Sequence, residues 1–382
     1  MKTEHSLTES LREYMNHNPT RKDLTDALTP RTRDIKLTKL QPSQSLESEI
    51  ETLLSLARNG IEQHNEPVVL IIEWEKRTHK LKMNYPYHGF ETLKDPPAMK
   101  IAVLLSLLSR ISAIAKSRDI CTIRDVFYLN VELYKSQQIV SESLRDIAES
   151  FQLSDLNALG IVAAQKGLCC TPVELSFDID KLILKNQKSL VPLMTPTTEL
   201  SGNWSLVKRV VVLEKDAIFS KLAENPLINQ QCILVTGKGF PDWLTRHFLY
   251  KMMLSCPPTV LFEIYTDSDP YGIEIALKYI YNDVNTVYQC PRLVYRGVMI
   301  QDLLQSGDTV HRGLQLLDLS ARDLSYAMNL LKRLVNTTLK ASKKRLLMRE
   351  VQRQMFYQKK AEMNTVHGAD FAKYLVTKSG TT

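Results

Sequence analysis

Between Val207 and Val298 the sequence alternates short apolar runs with helix-like segments: VKRVVVLE, KDAIFSKLAEN, QCILVTG, PDWLTRHFLYKMM, TVLFEIYTD, YGIEIALKYIYN and RLVYRGV. Runs of Val, Ile and Leu without polar alternation belong to strands covered on both faces, and the intervening helices supply the crossovers that parallel strands require. This order predicts a parallel α/β domain.

The chain before it reads differently. A helix is expected from Leu46 to Gln63, a buried strand at VVLIIEW from Val68, and an apolar helix from Met99 to about Lys116. Thr122 is placed to cap a second helix, and SQQIVSESLRDIAESFQL carries Ile139, Val140, Leu144, Ile147 and Phe151 at helical spacing. SDLNALGIVAAQKGLCC follows as a turn of helix, a β-like run and a Lys166-Gly167 turn, the order of a winged helix-turn-helix. The expected organisation is a polar arm with short helices over 1–45, a winged-helix domain with a loop-rich linker over 46–200, and the α/β domain with C-terminal helices over 201–382.

Lys and Arg number 49 against 42 Asp and Glu, a net charge of +7 that favours a polyanionic partner. The longest apolar stretch, IAVLLSLLSRISAIA, is interrupted by serines and Arg110 and reads as a buried helix rather than a membrane span. The N-terminus carries Glu4, Glu9 and Glu13 and has the character of neither a secretory signal nor a transit peptide, so an intracellular protein is expected. The six cysteines form no CxxC pair and the eight histidines no HxH or HxxxH set, which points to reduced thiols and assigns no histidine to a metal.

In open α/β sheets, functional groups collect where strand C-termini meet the next loop. Glu214 ends one strand-like run, and Asp267 and Asp269 end another, where extended chain places both aspartates on one side. Three carboxylates converging there require a cation, and hard oxygen ligands favour Mg²⁺ or Mn²⁺. The alternative is a solvated turn at Asp267 and Asp269 with Glu214 capping a helix. VTGKGFPDWLTR passes from strand to helix with Gly237, Lys238, Gly239 and Pro241 in a phosphate-friendly arrangement, although GxxxxGK[ST] is absent. Arg246 is equally readable as a surface partner of Asp242. In TIRDVFYLNVELY, Arg124 and Tyr128 share a helix face; a tyrosine can attack phosphorus when its charge is stabilised, yet most of the fifteen tyrosines are packing residues.

RDVFYLNVELYKSQ, LNALGIVAAQKGL, VVVLEKDAIF, ILVTGKGFPDWLTRHFL and DSDPYGIEIALKY resemble, in order and spacing, the topoisomerase VI A-subunit family, and within it the fungal meiotic branch. The resemblance implies a CAP-like winged helix followed by a Toprim domain, in a topoisomerase-like transesterase that makes meiotic double-strand breaks and so initiates homologous recombination. It implies Tyr128 as the nucleophile that stays attached to the 5′ end, Arg124 as its assistant, and Glu214, Asp267 and Asp269 as the acids that hold Mg²⁺. Lys166 falls in the wing motif and is implied, with Lys238 and Arg246, in DNA contact. The partners implied are duplex DNA, a second copy of the chain, a B-type partner of the topoisomerase VI kind, and a WD-repeat protein at Gln352, Arg353 and Phe356; the location implied is the nucleus, on meiotic chromosomes. Family members often have Tyr-Tyr where this chain has Phe127-Tyr128, which leaves one tyrosine at the motif. The competing classes are a non-catalytic winged-helix scaffold and a Toprim nuclease without a covalent intermediate.

Overall fold

The computed structural model describes residues 20, 33–37, 39–41, 45–62, 68–74, 77–83, 96–153, 156–177, 181–195, 197–281, 288–305, 316–364, 366 and 370–379. The chain divides into two compact units, Met1–Ile161 and Val162–Thr382, a division that falls well before the expected boundary at 200.

In the first unit, β1 (Arg33–Leu37) runs parallel to β2 (Val68–Trp74), and β2 pairs antiparallel with β3 (Arg77–Met83). Ile35 and Leu37 are buried while Asp34 and Lys36 are exposed, so residues 33–37 of the expected polar arm form a strand. Two apolar residues in an alternating RDIKL are too few to stand out from their polar surroundings. Most of the rest of the arm, with its expected helices, lies outside the described residues. Helix α1 (Leu46–Glu62) buries Ile50, Leu53 and Ala57, and α2 (Pro96–Ser117) buries Ile101, Leu104, Leu107, Leu108 and Ile111 in the same core. By length and composition α2 could cross a membrane, but those side chains form the centre of this unit. Helices α3 (Ile123–Leu129) and α4 (Gln137–Ser150) follow where expected.

The second unit is built on a six-stranded sheet. Its strands are β4 (Leu168–Cys170), β5 (Ser189–Leu190), β6 (Arg209–Leu213), β7 (Cys232–Thr236), β8 (Leu261–Tyr265) and β9 (Val294–Gly297), in the order β9-β8-β6-β7-β4-β5. Strand β6 is parallel to β7 and β8, and β8 to β9, as the alternation of apolar runs predicts. Every residue of β6 and β7 is buried, which accounts for their lack of polar alternation. Strand β4, expected as part of a wing, instead lies antiparallel to β7 and carries β5 on its outer edge. The expected linker also supplies a small antiparallel sheet of Leu175–Phe177, Lys181–Ile183 and Leu200–Gly202. These short strands are interrupted by Pro, Gly and polar residues, and that composition resembles loop.

Helices α5 (Asp216–Ala223), α6 (Trp243–Ser255) and α7 (Pro270–Ile280) connect the parallel strands. The C-terminal part adds α8 (Ala321–Asn336), α9 (Ala341–Tyr357) and α10 (Phe371–Ser379). A buried ionic cluster joins α10 to the sheet: Arg209 Nε donates to Glu263 Oε2 (2.7 Å), Arg296 Nε to Glu263 Oε1 (3.1 Å), and Arg209 Nη1 to the Leu375 carbonyl (3.4 Å). A buried carboxylate is tolerated when charged donors saturate it in this way.

Candidate active site

The tyrosine side is set by local capping. Thr122 and Asp125 form a reciprocal capping box, with Asp125 N–H donating to Thr122 Oγ1 (3.1 Å) and Thr122 N–H to Asp125 Oδ2 (2.9 Å). This fixes the start of α3 and the direction of each side chain. Val126 is fully buried and Phe127 packs partly against the core, whereas Tyr128 is 59% exposed. Arg124, one turn earlier, lies with its guanidinium carbon 5.7 Å from the Tyr128 ring centroid. Asn130 ends α3, and its Oδ1 accepts from Leu133 N–H to begin the turn Val131–Tyr134. Tyr134 is buried and its hydroxyl lies 2.8 Å from Ser106 Oγ, which pins that turn to α2. Tyr134 behaves as a packing tyrosine; Tyr128 does not.

The acid side follows from strand register. Leu213 pairs with Tyr265 across β6 and β8, so Glu214 and Asp267 leave the sheet together. Glu214 N–H donates to the Tyr265 carbonyl (3.1 Å), and Asp267 N–H to Glu214 Oε2 (2.8 Å). Ser268 is buried while Asp267 and Asp269 are partly exposed, the alternation expected of extended chain. Asp269 is the N-cap of α7, accepting from Gly272 N–H at 2.6 Å. Gly272 has no room for a side chain, because a Cβ there would collide with the Asp267 carbonyl oxygen. The helix-cap alternative thus applies to Asp269 and not to Glu214, since α5 has Lys215 at its N-cap with no side-chain cap bond.

Electrostatically these acids are short of positive charge. Burial, followed by the charge of Asp267, pushes the Glu214 carboxyl up to about 7; the Asp267 N–H opposes this and Asp269 adds to it. Burial also raises Asp267 and Asp269. Asp267 is engaged on both oxygens: Met363 N–H donates to Oδ1 (2.8 Å), and Lys215 Nζ lies 3.1 Å from Oδ2. Among the described residues no group of three or more His, Cys, Asp or Glu is arranged as a finished metal site. The donor set is all oxygen, the chemistry a hard divalent ion takes, and Toprim domains generally bind a divalent metal. Lys215, Glu362 and Met363 were invisible as site residues in the sequence. The last two act from roughly a hundred residues away or more, and no local pattern records such contacts.

The residues expected at DNA all lie in the second unit. Lys166 donates its backbone N–H to Asp242 Oδ2 (3.1 Å) and its Nζ to the Phe240 carbonyl (2.8 Å). Lys238 is exposed at a φ of 53° and its Nζ lies 3.1 Å from Asp216 Oδ2. Helix α6 begins at Trp243 with Asp242 as N-cap, so Pro241 precedes the helix and the expected phosphate-binding terminus is filled by a carboxylate. Arg246 is half-buried in the first turn of α6. On α9, Leu347, Glu350, Val351 and Gln354 are buried, whereas Gln352 and Phe356 are exposed and Arg353 is intermediate.

The family matches define a DNA-cleaving enzyme of the type IIB topoisomerase class. Residues 99–161 match the model for type IIB DNA topoisomerase, and residues 209–378 match the Toprim domain of the topoisomerase 6 A-subunit/Spo11 group. The chain belongs to this topoisomerase 6 A-subunit/Spo11 family. It is 33% identical to the meiosis-specific protein SPO11 of Saccharomyces cerevisiae over 92% of this chain and 96% of the relative. It is 32% identical to the meiotic recombination protein rec12 of Schizosaccharomyces pombe over 70% of this chain and 73% of the relative. A third relative, the A3 subunit of DNA topoisomerase 6 from Oryza sativa, is 30% identical over 54% of this chain and 48% of its own length.

Proposed function

We propose that this enzyme makes meiotic DNA double-strand breaks by transesterification, with Tyr128 as nucleophile. The observation that carries the reading is the exposure of Tyr128 beside Arg124, while Tyr134, in the separate turn that follows that helix, is buried. Tyr128 Oη gives up its proton and bonds to phosphorus; the bond from phosphorus to the 3′ oxygen breaks, and the departing oxygen takes a proton. The product is a 5′-phosphotyrosyl link and a free 3′ hydroxyl. Arg124 stabilises charge on the phosphoryl oxygens. Glu214, Asp267 and Asp269 are the residues that would hold Mg²⁺, which supplies positive charge at the phosphate.

Helices α2, α3 and α4 supply the helical core of a winged-helix DNA-binding domain, and Lys166, Lys238 and Arg246 contribute backbone contacts to duplex DNA. The names of the two fungal relatives, which refer to meiosis and meiotic recombination, support a place in the nucleus on meiotic chromosomes. A double-strand break needs two nucleophiles, so two copies act together on DNA, joined by a B-type partner of the topoisomerase VI kind. The outer face of α9, with Gln352, Arg353 and an 81% exposed Phe356, is offered to a WD-repeat protein.

The test is covalent capture. The purified complex with duplex DNA and Mg²⁺ should yield protein-linked 5′ ends, and Tyr128→Phe should lose them while DNA binding stays within about twofold, since only an exposed hydroxyl is removed. Linked ends at normal yield in Tyr128→Phe refute the assignment.

A further inference from the structure

Helix α9 ends at Gln358, in the left-handed region with φ 51°, and the chain then runs along the acid loop. Ser268 and Ala361 exchange both backbone hydrogen bonds, Ser268 N–H to Ala361 O at 2.8 Å and Ala361 N–H to Ser268 O at 3.1 Å. The Ala361 and Met363 side chains are buried in the core of the second unit, so this segment is held by packing as well as by hydrogen bonds. It brings two groups to Asp267. Met363 N–H takes Oδ1, and Glu362 takes a share of the ammonium that faces Oδ2: Lys215 Nζ is 3.1 Å from Asp267 Oδ2 and 3.0 Å from Glu362 Oε2.

One ammonium is therefore divided between a carboxylate of the acid cluster and a carboxylate outside it. Lys215 is mostly buried, with 22% of its side chain exposed, and Glu362 stands at the solvent edge with 53% exposed. A divalent ion that is to use Asp267 Oδ2 must displace Lys215. Displacing a largely buried ammonium is costly when it is left without a counter-charge and cheap when a second carboxylate already holds it.

We infer that Lys215 and Glu362 form an exchange pair for the acid site: Lys215 holds Asp267 in the metal-free protein, and Glu362 receives the ammonium when a divalent ion takes Asp267. Both are positioning residues, acting on the ion through Asp267. The inference rests on the reading of Glu214, Asp267 and Asp269 as the metal-binding acids.

The test is Mn²⁺ binding to the full chain without DNA, followed by calorimetry and by the electron paramagnetic resonance signal of free Mn²⁺. Lys215→Met removes the competing charge and should tighten Mn²⁺ binding about tenfold, whereas Lys215→Arg, which keeps the charge, should stay within about twofold of wild type. Lys215→Gln must move in the same direction as Lys215→Met. Glu362→Gln should weaken binding about fivefold in the wild-type background and less than about twofold in the Lys215→Met background, because its effect passes through the ammonium. Equal effects of Glu362→Gln in both backgrounds, or unchanged affinity in Lys215→Met and Lys215→Gln, overturn the inference. Asp267→Asn separates the two levels. Mn²⁺ binding indifferent to Asp267→Asn removes the reading of the site itself, while binding that depends on Asp267 but not on Lys215 removes the exchange pair alone.

Discussion

The backbone N–H of Asp267 donates to Oε2 of Glu214 over 2.8 Å, so the acid at the end of one strand is oriented by the main chain at the end of its neighbour. That bond stabilises the ionised form of Glu214 but does not offset its burial and the charge of Asp267, which together push its carboxyl up to about 7.

A pH dependence follows. From an ordinary 4.5 to about 7, the folded protein keeps a proton on Glu214 that the unfolded chain has released. The folded state binds more protons in that window, so stability falls as pH rises through it. Glu214→Gln should flatten the dependence, removing about 2 to 3 kcal/mol of the difference between pH 4.5 and pH 7.5. Urea unfolding at both pH values is the measurement, and an unchanged slope in the variant counts against the crowded-acid account.

His247 gives the opposite sign. It is fully buried in α6, neither ring nitrogen has a hydrogen-bond partner among the described residues, and its ring lies 4.0 Å from that of Tyr288 and 4.9 Å from that of Trp243, centroid to centroid. Burial holds its pKa down to about 3 from an ordinary 6.5, so the stability it permits is complete above 6.5 and is lost as pH falls towards 3. His247→Phe keeps the ring packing and should be more stable than wild type by about 2 kcal/mol at pH 5, on top of any difference seen at pH 7.5. No gain on acidification would show that His247 finds a partner.

The ionic cluster behind the site should respond non-additively. Glu263→Ala leaves Arg209 and Arg296 facing an empty buried position and should cost about 3 to 5 kcal/mol. Arg209→Met combined with Glu263→Ala should cost less than the two single changes added together, by about 1 kcal/mol or more, in a denaturation double-mutant cycle. Strict additivity would mean that the two side chains contribute independently.

If the tyrosine of one copy works with the acids of the other, protomers carrying Tyr128→Phe mixed with protomers carrying Glu214→Ala regain one competent site per heterodimer. Both lesions fall in the second site. The mixture should nick single strands about as efficiently as half of the wild-type sites do, without double-strand breaks. Absence of nicking by heterodimers demonstrated on DNA would place tyrosine and acids within one chain.

Much of the second unit was legible because its central strands are buried on both faces. VKRVVVLE, QCILVTG and TVLFEIYTD are short, rich in β-branched residues and separated by helix-like segments, which favours buried strands, and their ends locate Glu214, Asp267 and Asp269. The capping box at Thr122 and Asp125 was half visible, since Thr122 stood at the head of an apolar helical pattern. What escaped were features without a local pattern. Strand β1 has only Ile35 and Leu37 to mark it, and β4 has the look of a wing because its true partner, Cys232–Thr236, lies more than sixty residues on. Lys215 resembles an ordinary helix-start lysine, and nothing in its neighbourhood points to Glu362.

The antiparallel seat of Leu168–Cys170 against Cys232–Thr236 bears on how the protein can be cut. A fragment that begins at residue 201, or at 209 where the Toprim match starts, contains Glu214, Asp267, Asp269 and the parallel strands of the six-stranded sheet yet lacks the two strands that close one side of it. Its strand Cys232–Thr236, all apolar or uncharged and buried in the intact protein, becomes a bare edge able to pair with the same edge of another molecule. A piece that starts at Val162, where the compact second unit begins, keeps both of those strands, so the wing-like KGLCC segment is an edge guard that belongs to the second unit.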